Sequence, residues 1–350
     1  MTEVKPSHSI IGTTLAQDVY NEYGLLLLPA GATLHQSDIR LLEAHNILAV
    51  HVVAAPSTID MPTPVLHWSE TEAAHQYADA VQKTGYLFKQ IASGTIPPLN
   101  RFNEAFYPLL DQVLQRLEFL QFIYLKEGTE DYTYRHSLHV GIVSAVIAKL
   151  LGKSHEDIYF LGQAGLLHDV GKMKIADELL SKPTHLTDEE YSVMKLHTEY
   201  GSQLLLSMEG ANEQLALCAL LHHERLDGTG YPERRTKETI PFECQIISVA
   251  DVFDAICTDR VYRKGSSPFE AANVLWELAC SGKLNPFIVS HFIQYIVVLY
   301  VGSSALLSNG DQVEVIMIHT DEPMRPLVRR GEEFLDLREH RSLRIHKMIS

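Results

Sequence analysis

The sequence predicts a mainly α fold, with a small α/β module before the helices and a small β unit after them. From residue 69 to residue 299, apolar residues recur every three or four positions, which is the period of an amphipathic helix. Residues 1–60 and 301–350 instead carry short apolar runs separated by turn residues. We therefore predict three segments: an N-terminal regulatory module at 1–60, a helical region at 61–300 and a C-terminal β unit at 301–350.

The N-terminal segment has the pattern of short strands with one helix. In residues 18–31 an apolar run lies between two turn sequences, which predicts two short strands. Ser37 is a typical N-cap for a helix at 38–45, and 47–53 has the composition of another strand. Three prolines then indicate a linker: Pro56, Pro62 and Pro64.

The C-terminal segment contains a strong hairpin signal. Asn309 and Gly310 separate two apolar runs, and this dipeptide favours the tight turn of a β-hairpin. We therefore expect the last fifty residues to form antiparallel strands.

The composition excludes several classes of function. With 46% hydrophobic and 21% charged residues the chain is expected to be globular, and a formal charge of −15 argues against a surface for duplex nucleic acid. Four scattered cysteines without a CxxC pair indicate reduced core residues. Residues 1–10 lack a signal-peptide pattern, and the longest apolar stretch, 292–301, is too short to span a membrane. We therefore expect a cytoplasmic protein without a membrane span.

The helical region contains seven residues that could bind metal. Taken singly, each histidine or aspartate has an ordinary explanation as a core or surface residue, so the prediction depends on their joint placement. The candidates are His136, His168, Asp169, His197, His222, His223 and Asp251.

Several of these residues are predicted to face the interior. His136 begins a helix whose apolar stripe lies on the same side. A capping box at 187–190 begins a second helix, which is predicted to continue past His197 with that residue on its apolar side. Asp251 lies within an apolar run, where an unpaired carboxylate would be costly. Imidazoles and carboxylates facing one interior indicate a metal site.

The number of candidate ligands indicates two metal ions. Seven ligands are too many for one ion with an open position, whereas two ions about 3.5–4 Å apart, bridged by a carboxylate, suit phosphoester displacement. Imidazole and carboxylate ligands accept Fe, Mn, Zn or Ni.

Residues that suit phosphate chemistry surround these ligands. Lys172 follows Asp169 by three positions, and the glycine-rich loop at 222–232 can bring backbone N–H groups close to a ligand. Arg260 and Arg263 are three positions apart and would share one side of a helix, where they bind phosphate or form a solvated face.

Four motifs resemble the HD-GYP family, a branch of the HD phosphohydrolase superfamily. The run from His168 to Lys172 (HDVGK) resembles the motif HDxGK, and that from His222 to Pro232 (HHERLDGTGYP) resembles HHExxDGxGYP. Residues 131–137 and 249–255 are similar to the flanking helices. The resemblance covers residues 131–264.

The resemblance implies an all-helical HD-type core, two or three metal ions, commonly iron or manganese, and hydrolysis of cyclic di-GMP. On that template one ion is held by His136, His168, Asp169 and Asp251, and a second by Asp169 with His197, His222 and His223. The implied catalytic residues are Asp169 and Lys172, and the implied substrate-binding residues are Lys172, Arg260, Arg263, Gly230 and Tyr231. The loop containing Gly230 and Tyr231, here called the GYP loop, is also implied to contact a partner protein.

One departure from the family pattern bears on the number of ions. Members with three metals carry a glutamate four residues before the first histidine, and here that position is Tyr132. We therefore expect two ions and a bridging hydroxide that attacks phosphorus, giving the linear product pGpG, with further hydrolysis to GMP left open. The N-terminal segment resembles a module that often precedes HD-GYP domains, and it is a plausible contact in a homodimer.

Several alternatives stay open at this point. The substrate could be another cyclic dinucleotide, such as cyclic GMP-AMP, or the chain could bind the dinucleotide without cutting it. Glu224 and Asp227 could orient imidazoles or be ordinary loop residues. The helices at 69–126 are equally consistent with the catalytic core and with a separate signalling bundle.

Overall fold

The protein is described by a computed structural model in which two compact units, Met1–Ser69 and Glu70–Ser350, are distinguished. The structure describes residues 2–4, 15–20, 26–28, 34, 42, 47, 49–52, 70–117, 119–125, 132–258 and 265–349.

The first unit contains two antiparallel strand pairs in its described part. Strand β1 (Thr2–Val4) pairs with β4 (Val50–Val52), and β2 (Val19–Tyr20) pairs with β3 (Leu26–Leu28). Their apolar side chains form a small buried cluster that includes Leu15, Leu34 and Leu42. The predicted strands near residues 18–31 and 47–53 are confirmed. Of the predicted helix at 38–45 only Leu42 is described, as helical, and the proline linker lies outside the described residues.

Helices dominate the described part of the second unit. They are α1 (Glu70–Ala92), α2 (Leu99–Gln115), α3 (Phe119–Leu125), α4 (Tyr132–Leu150), α5 (His155–Leu167), α6 (Asp177–Leu180), α7 (Asp188–Lys195), α8 (His197–Ser207), α9 (Glu213–Leu221), α10 (Phe242–Cys257), α11 (Pro268–Cys280) and α12 (Pro286–Ile296). A short 3₁₀ helix, Val170–Lys174, lies between α5 and α6, and another, Val298–Tyr300, follows α12. Within the described residues, no helix is long and apolar enough to cross a membrane.

Helix α4 lies at the centre of the helical core. Every residue from 135 to 148 is buried, as expected for a helix that is covered on all sides. Helices α5 and α10 pack directly against it, and α8 packs against α9 and the first 3₁₀ helix. Helices α1 and α2 also pack against α4, so residues 70–115 belong to the helical core rather than to a separate bundle.

Local sequence explains where several helices begin. The Thr187 hydroxyl and the Glu190 carboxylate form the predicted capping box at the start of α7. Ser154, Asn212 and Ser267 accept backbone N–H groups at the starts of α5, α9 and α11.

One predicted helix is interrupted. The sequence predicts a continuous helix from 188 to beyond 205, but α7 ends at Lys195 and α8 begins at His197. The N–H of Leu196 donates to the carbonyl of Val193, three residues earlier, so the chain tightens between the two helices. This break places His197 at the start of a helix instead of in its middle.

The C-terminal strands form one antiparallel sheet in the order β8-β7-β6-β5-β9. The strands are β5 (Ser304–Leu307), β6 (Gln312–Met317), β7 (Leu327–Arg330), β8 (Glu333–Asp336) and β9 (Ile345–Ile349). Strands β5 and β6 form the predicted hairpin, and Gly310 has the positive φ of +89° that its turn requires. Ser267 donates to the carbonyl of Ile345, so the sheet contacts the start of α11. The mainly α fold with a C-terminal β unit is confirmed, and the segment boundaries at 60 and 300 stay predictions.

Candidate metal centre

The seven candidate ligands come together where several helices begin or end. His168 and His222 are the C-caps of α5 and α9, and His197 begins α8. His136 lies in the second turn of α4 and Asp251 in the middle of α10. Asp169 and His223 follow the two C-caps directly. The helical core therefore gathers these side chains from five helices at one point.

The ligand atoms form two groups. In each group the nitrogen and oxygen atoms lie within 4.8 Å of one another, the spacing that suits a shared cation. The His136 group contains His136, His168 and Asp251, and the His197 group contains Asp169, His197, His222 and His223.

The Asp169 carboxylate lies between the two groups. Its Oδ2 atom is 3.5 Å from Nε2 of His136 and 3.3 Å from Nε2 of His168. Its Oδ1 atom is 3.2 Å from Nε2 of His197 and 3.7 Å from Nε2 of His222. Each oxygen thus faces a different group, which is the arrangement of a bridging carboxylate.

Three imidazoles are oriented by the backbone. The Nδ1–H of His168 donates to the carbonyl of Gly165 at 2.6 Å. His197 and His222 make the same contact with the carbonyls three residues before them, at 2.7 and 2.8 Å. These carbonyls belong to last helical turns, where the helix supplies no donor. The bond fixes the tautomer and leaves each Nε2 lone pair directed at the centre.

His136 is oriented by a side chain that the sequence analysis missed. Its Nδ1 atom lies 2.7 Å from Oδ2 of Asp254, which is fully buried on α10. Asp254 follows Asp251 by three residues, so both carboxylates occupy one face of that helix. This spacing is the signal from which Asp254 could have been found.

The pKa of His136 shifts in the opposite direction from those of the histidines in the His197 group. Burial lowers the pKa values of His197, His222 and His223, and neighbouring imidazoles add to the effect at His222. Burial would also lower the pKa of His136, but its hydrogen bonds to Asp251 and Asp254 outweigh burial and raise it to about 9.

Both central carboxylates are ionised. Burial would raise the pKa of Asp169, but Lys172 and the imidazoles outweigh it and hold the pKa well below its usual range. The pKa of Asp251 is lowered in the same way, with the His136 hydrogen bond as the main opposing contribution.

The residues fit a divalent metal ion. Nε2 of His168 and Oδ1 of Asp169 are buried and have no hydrogen-bond partner, which is costly unless a ligand binds them. The donor set of five imidazoles and two carboxylates is one that first-row divalent metals prefer. A cation between them would satisfy both atoms and both carboxylate charges.

A family model described as an HD domain matches residues 112–288. The chain belongs to the HD domain family. This match and the His/Asp cluster together establish divalent metal binding, and the family match confirms the predicted HD-type core.

Relatives of this HD domain include named phosphodiesterases. It is 34% identical over 201 residues to the cyclic di-GMP phosphodiesterase PA4108 of Pseudomonas aeruginosa, covering 57% of this chain and 48% of that protein. It is 34% identical over 174 residues to the 3'3'-cGAMP-specific phosphodiesterase 3 of Vibrio cholerae, covering 50% and 37%. The chain thus spans less than half the length of either relative.

A solved structure shares the fold. Bd1817, an HDG"Y"P protein from Bdellovibrio bacteriovorus, matches with a TM-score of 0.54 at 15% identity, covering 83% of this chain and 97% of that one. At this identity the likeness shows the fold of the HD domain alone.

Two glycines of the HD-domain motifs allow close backbone contacts. A Cβ atom on Gly171 would lie 1.9 Å from the carbonyl oxygen of His197, so only glycine lets the 3₁₀ helix pack against α8. A Cβ atom on Gly230 would lie 2.4 Å from the amide nitrogen of Arg225. Gly230 therefore lets the GYP loop close onto the turn after His223.

The GYP loop places an aromatic ring beside the ligands. The Tyr231 ring centroid is 4.7 Å from that of His223, and the exposed Tyr191 packs edge-on against Tyr231 at 6.3 Å. Lys195 lies over the Tyr191 ring at 5.2 Å. Aromatic rings and a cation thus border the metal centre on this side.

Glu224 and Asp227 do not orient imidazoles. The Glu224 carboxylate accepts the backbone N–H groups of Glu233 and Arg235, at 2.7 and 3.0 Å. Asp227 accepts from the backbone N–H of Thr229 in a local turn. Both residues stabilise the loop of the HD domain, so the alternative that they orient ligands is wrong.

Of the remaining residues discussed from the sequence, the structure describes Lys172 and Tyr132 but not Arg260 and Arg263. The Lys172 ammonium forms an ion pair with Oδ2 of Asp169 and is partly exposed. Arg260 and Arg263 lie outside the described residues. Tyr132 stacks on the His136 ring, with centroids 5.6 Å apart and ring planes 11° apart.

Proposed function

We propose that this chain hydrolyses a 3′,5′-phosphodiester of cyclic di-GMP to give linear pGpG, with two divalent metal ions as cofactors. The observation that supports the proposal best is the position of Asp169, whose two oxygens face separate ligand groups. Two-ion sites of this kind act in many enzymes that cleave phosphoesters.

In this proposal each ligand group holds one ion. His136, His168 and Asp251 would hold the first together with Asp169. His197, His222 and His223 would hold the second, again with Asp169. The orphaned buried atoms of His168 and Asp169 support the assignment, because a bound cation would give both of them a partner.

The chain's own residues would bind and orient the phosphate. The ions would supply an activated water and neutralise charge on the phosphate oxygens. Lys172 projects from the same 3₁₀ helix that follows Asp169, and its partly exposed ammonium can pair with a phosphoryl oxygen. The new P–O bond would form to the oxygen of water as the bond to the 3′ oxygen breaks, and a proton from water would end on the 3′ oxygen as the free hydroxyl of pGpG.

The GYP loop would form one wall of the substrate pocket. Tyr231 lies beside His223, and Gly230 allows the loop to approach the ligands closely. Arg260 and Arg263 are proposed to bind the phosphates of the dinucleotide. Their placement follows from the motif resemblance alone.

The proposed metal content is two ions of iron or manganese. Tyr132 occupies the position where three-metal members of the family carry glutamate, and its ring stacks on His136 without supplying a carboxylate. Two ions are consistent with a reaction that stops at pGpG, whereas release of GMP would require a second hydrolysis.

Cyclic GMP-AMP is the second candidate substrate. The name of the Vibrio cholerae relative specifies 3'3'-cGAMP, and that protein is as similar in identity as the cyclic di-GMP relative. The two substrates differ in one base, so contacts to the bases decide between them.

The test is a hydrolysis assay with metal analysis. The protein would be purified without oxygen, its bound metals quantified, and wild type compared with Asp169→Ala and with the exposed-carboxylate control Asp177→Ala. We expect about two ions per chain and turnover of cyclic di-GMP to pGpG in wild type and control, with loss of both in Asp169→Ala. Faster turnover of cyclic GMP-AMP than of cyclic di-GMP would make cyclic GMP-AMP the substrate. Tight binding of the dinucleotide without turnover would favour a protein that senses it.

Three further proposals concern the whole protein. We propose a homodimer through residues 1–60, a partner protein at the GYP loop and a cytoplasmic location. Light scattering of the purified chain with and without residues 1–60 tests the dimer, and pull-down with Tyr231→Ala tests the partner contact.

A further inference from the structure

Buried hydrogen bonds connect the His136 group to helix α1. Asp254 binds Nδ1 of His136 at 2.7 Å through one oxygen and Nδ1 of His139 at 2.8 Å through the other. Nε2 of His139 lies 2.6 Å from the hydroxyl of Tyr77 on α1, and Nε of Arg135 donates to that hydroxyl at 3.2 Å. We call Tyr77, His139 and Asp254 the Tyr77 relay.

The relay is buried along its length. Asp254 is fully buried, His139 is 1% exposed and Tyr77 is 6% exposed. Polar groups in such surroundings are costly unless they are paired, so each hydrogen bond constrains its neighbours strongly.

The donors and acceptors of the relay have one consistent order. A carboxylate only accepts, so both imidazoles donate to Asp254 from Nδ1. Nε2 of His139 then accepts from the Tyr77 hydroxyl, whose oxygen accepts from Arg135. At the other end, His136 keeps its proton on Nδ1, and once a bound ion has displaced the Nε2 proton it presents that lone pair to the candidate metal position.

We propose that Tyr77 and His139 are positioning residues that act through Asp254 on His136. They set the affinity of the His136 group for its ion and couple helix α1 to the metal centre. The inference rests on the proposed two-ion function. Oδ1 of Asp254 is held by His139 and by the Thr258 hydroxyl, and Oδ2 is held by His136. Loss of the His139 hydrogen bond would leave Thr258 alone on Oδ1 and so loosen the carboxylate that orients His136.

Helix α1 is packed closely enough to act on the relay. A Cβ atom on Gly85 would lie 2.8 Å from the Tyr134 ring, and Phe88 stacks on the same ring with centroids 5.7 Å apart. Tyr134 precedes His136 by two residues in α4. A displacement of α1 would therefore move both Tyr77 and the turn of α4 that carries His136.

The experiment compares two tyrosine variants of the same helix. Tyr77→Phe removes the relay hydroxyl and keeps the ring that packs on His139, whereas Tyr86→Phe removes an exposed hydroxyl outside the relay. Apoprotein prepared with a chelator would be titrated with Mn²⁺, and free Mn²⁺ followed by electron paramagnetic resonance. We expect Tyr77→Phe to weaken one of the two sites by about fivefold. Outer partners of metal ligands typically contribute 10–100-fold, and Tyr77 reaches the ligand His136 only through His139 and Asp254, so its effect should be smaller. Tyr86→Phe should match wild type.

A double-mutant cycle separates positioning from general packing. In an Asp254→Asn background, or a His139→Gln background if that protein folds better, Tyr77→Phe should change Mn²⁺ affinity by less than about twofold. The relay would be overturned if Tyr77→Phe had the same effect in the wild-type and variant backgrounds, or if Tyr77→Phe alone bound Mn²⁺ as wild type does. Either result would leave the proposed function intact. Failure of the wild-type protein to bind Mn²⁺ would overturn both.

Discussion

The two candidate ligand groups are held in different ways. In the His197 group, His197 and His222 donate to backbone carbonyls three residues earlier in the chain. In the His136 group, His168 is held in the same way, but His136 donates instead to Asp254, a charged side chain of another helix. The two groups therefore differ at His136, whose orientation depends on tertiary packing and on a buried charge rather than on its own helix.

This difference determines what each group should respond to. A backbone carbonyl keeps its position as long as its helix is intact and does not titrate. A carboxylate attracts a proton to the imidazole, as the raised pKa of His136 shows, and its position depends on every helix that contacts it. We therefore expect the metal affinity of the His136 group to change with pH and with the packing of neighbouring helices.

The largest expected effect comes from Gly171→Ala. The added Cβ would collide with the carbonyl of His197 and push α8 away from the 3₁₀ helix. We expect the free energy of unfolding to fall by about 3 kcal/mol and the ion of the His197 group to be lost. Chemical denaturation and metal analysis would measure both, with Lys174→Ala as the control on the same 3₁₀ helix. Loss of both ions would show that the His136 group cannot bind its ion once the His197 group is disrupted.

The second prediction concerns Lys172, the ion-pair partner of the carboxylate that lies between the two groups. Lys172→Met removes the ammonium that pairs with Asp169 and that is proposed to bind phosphate. We expect kcat/KM to fall about 100-fold, as for loss of a group that stabilises transition-state charge. Both ions should remain bound, because removing a neighbouring positive charge does not weaken cation binding.

The matched control is Lys182→Met, which breaks an ion pair with Glu190 outside the metal centre. It should retain wild-type kcat/KM. A comparable loss of activity in this control, or loss of bound metal in Lys172→Met, would argue against a direct role of Lys172 at the phosphate.

The sequence predicted the ligands better than it predicted what orients them. The HDVGK and GYP motifs are contiguous, so His168, Asp169, His222 and His223 could be identified from local pattern. The carbonyl partners of His197 and His222 are also local, three residues away, but they depend on where a helix ends. The interruption between α7 and α8 was missed because the apolar period continues across Leu196.

The relay to helix α1 could not be predicted in the same way. Tyr77 and His139 are 62 residues apart, and His139 and Asp254 are 115 residues apart. A tyrosine on an amphipathic helix has the pattern of an ordinary core residue. Only the tertiary packing of α1, α4 and α10 brings these groups into contact.

The third prediction uses pH to separate the two groups. In the apoprotein His136 has a pKa of about 9 and is protonated at pH 7, so an ion must displace its proton. The pKa values of His197, His222 and His223 are lowered, so these residues are already neutral. Raising the pH from 7 to 8 should therefore tighten one Mn²⁺ site by about tenfold and leave the other nearly unchanged.

Calorimetry in buffers of different ionisation enthalpy would count the protons released on Mn²⁺ binding. One proton should be released at one site and none at the other. Equal pH slopes at the two sites would contradict the comparison between the groups. The exposed-histidine variant His185→Gln should leave both slopes unchanged.

The smallest expected effect tests how firmly Asp254 is held. Thr258 donates to Oδ1 of Asp254 at 2.9 Å, and Thr258→Val removes that hydroxyl with little change in shape. Asp254 keeps both imidazole partners, so we expect the Mn²⁺ affinity of the His136 group to fall only about threefold and the free energy of unfolding to fall by about 1 kcal/mol. The His197 group should be unchanged, as should both sites in the exposed control Thr239→Val. A larger effect at the His197 group than at the His136 group would mean that Asp254 acts on the whole centre, and the adjustable part of the site would then extend beyond His136.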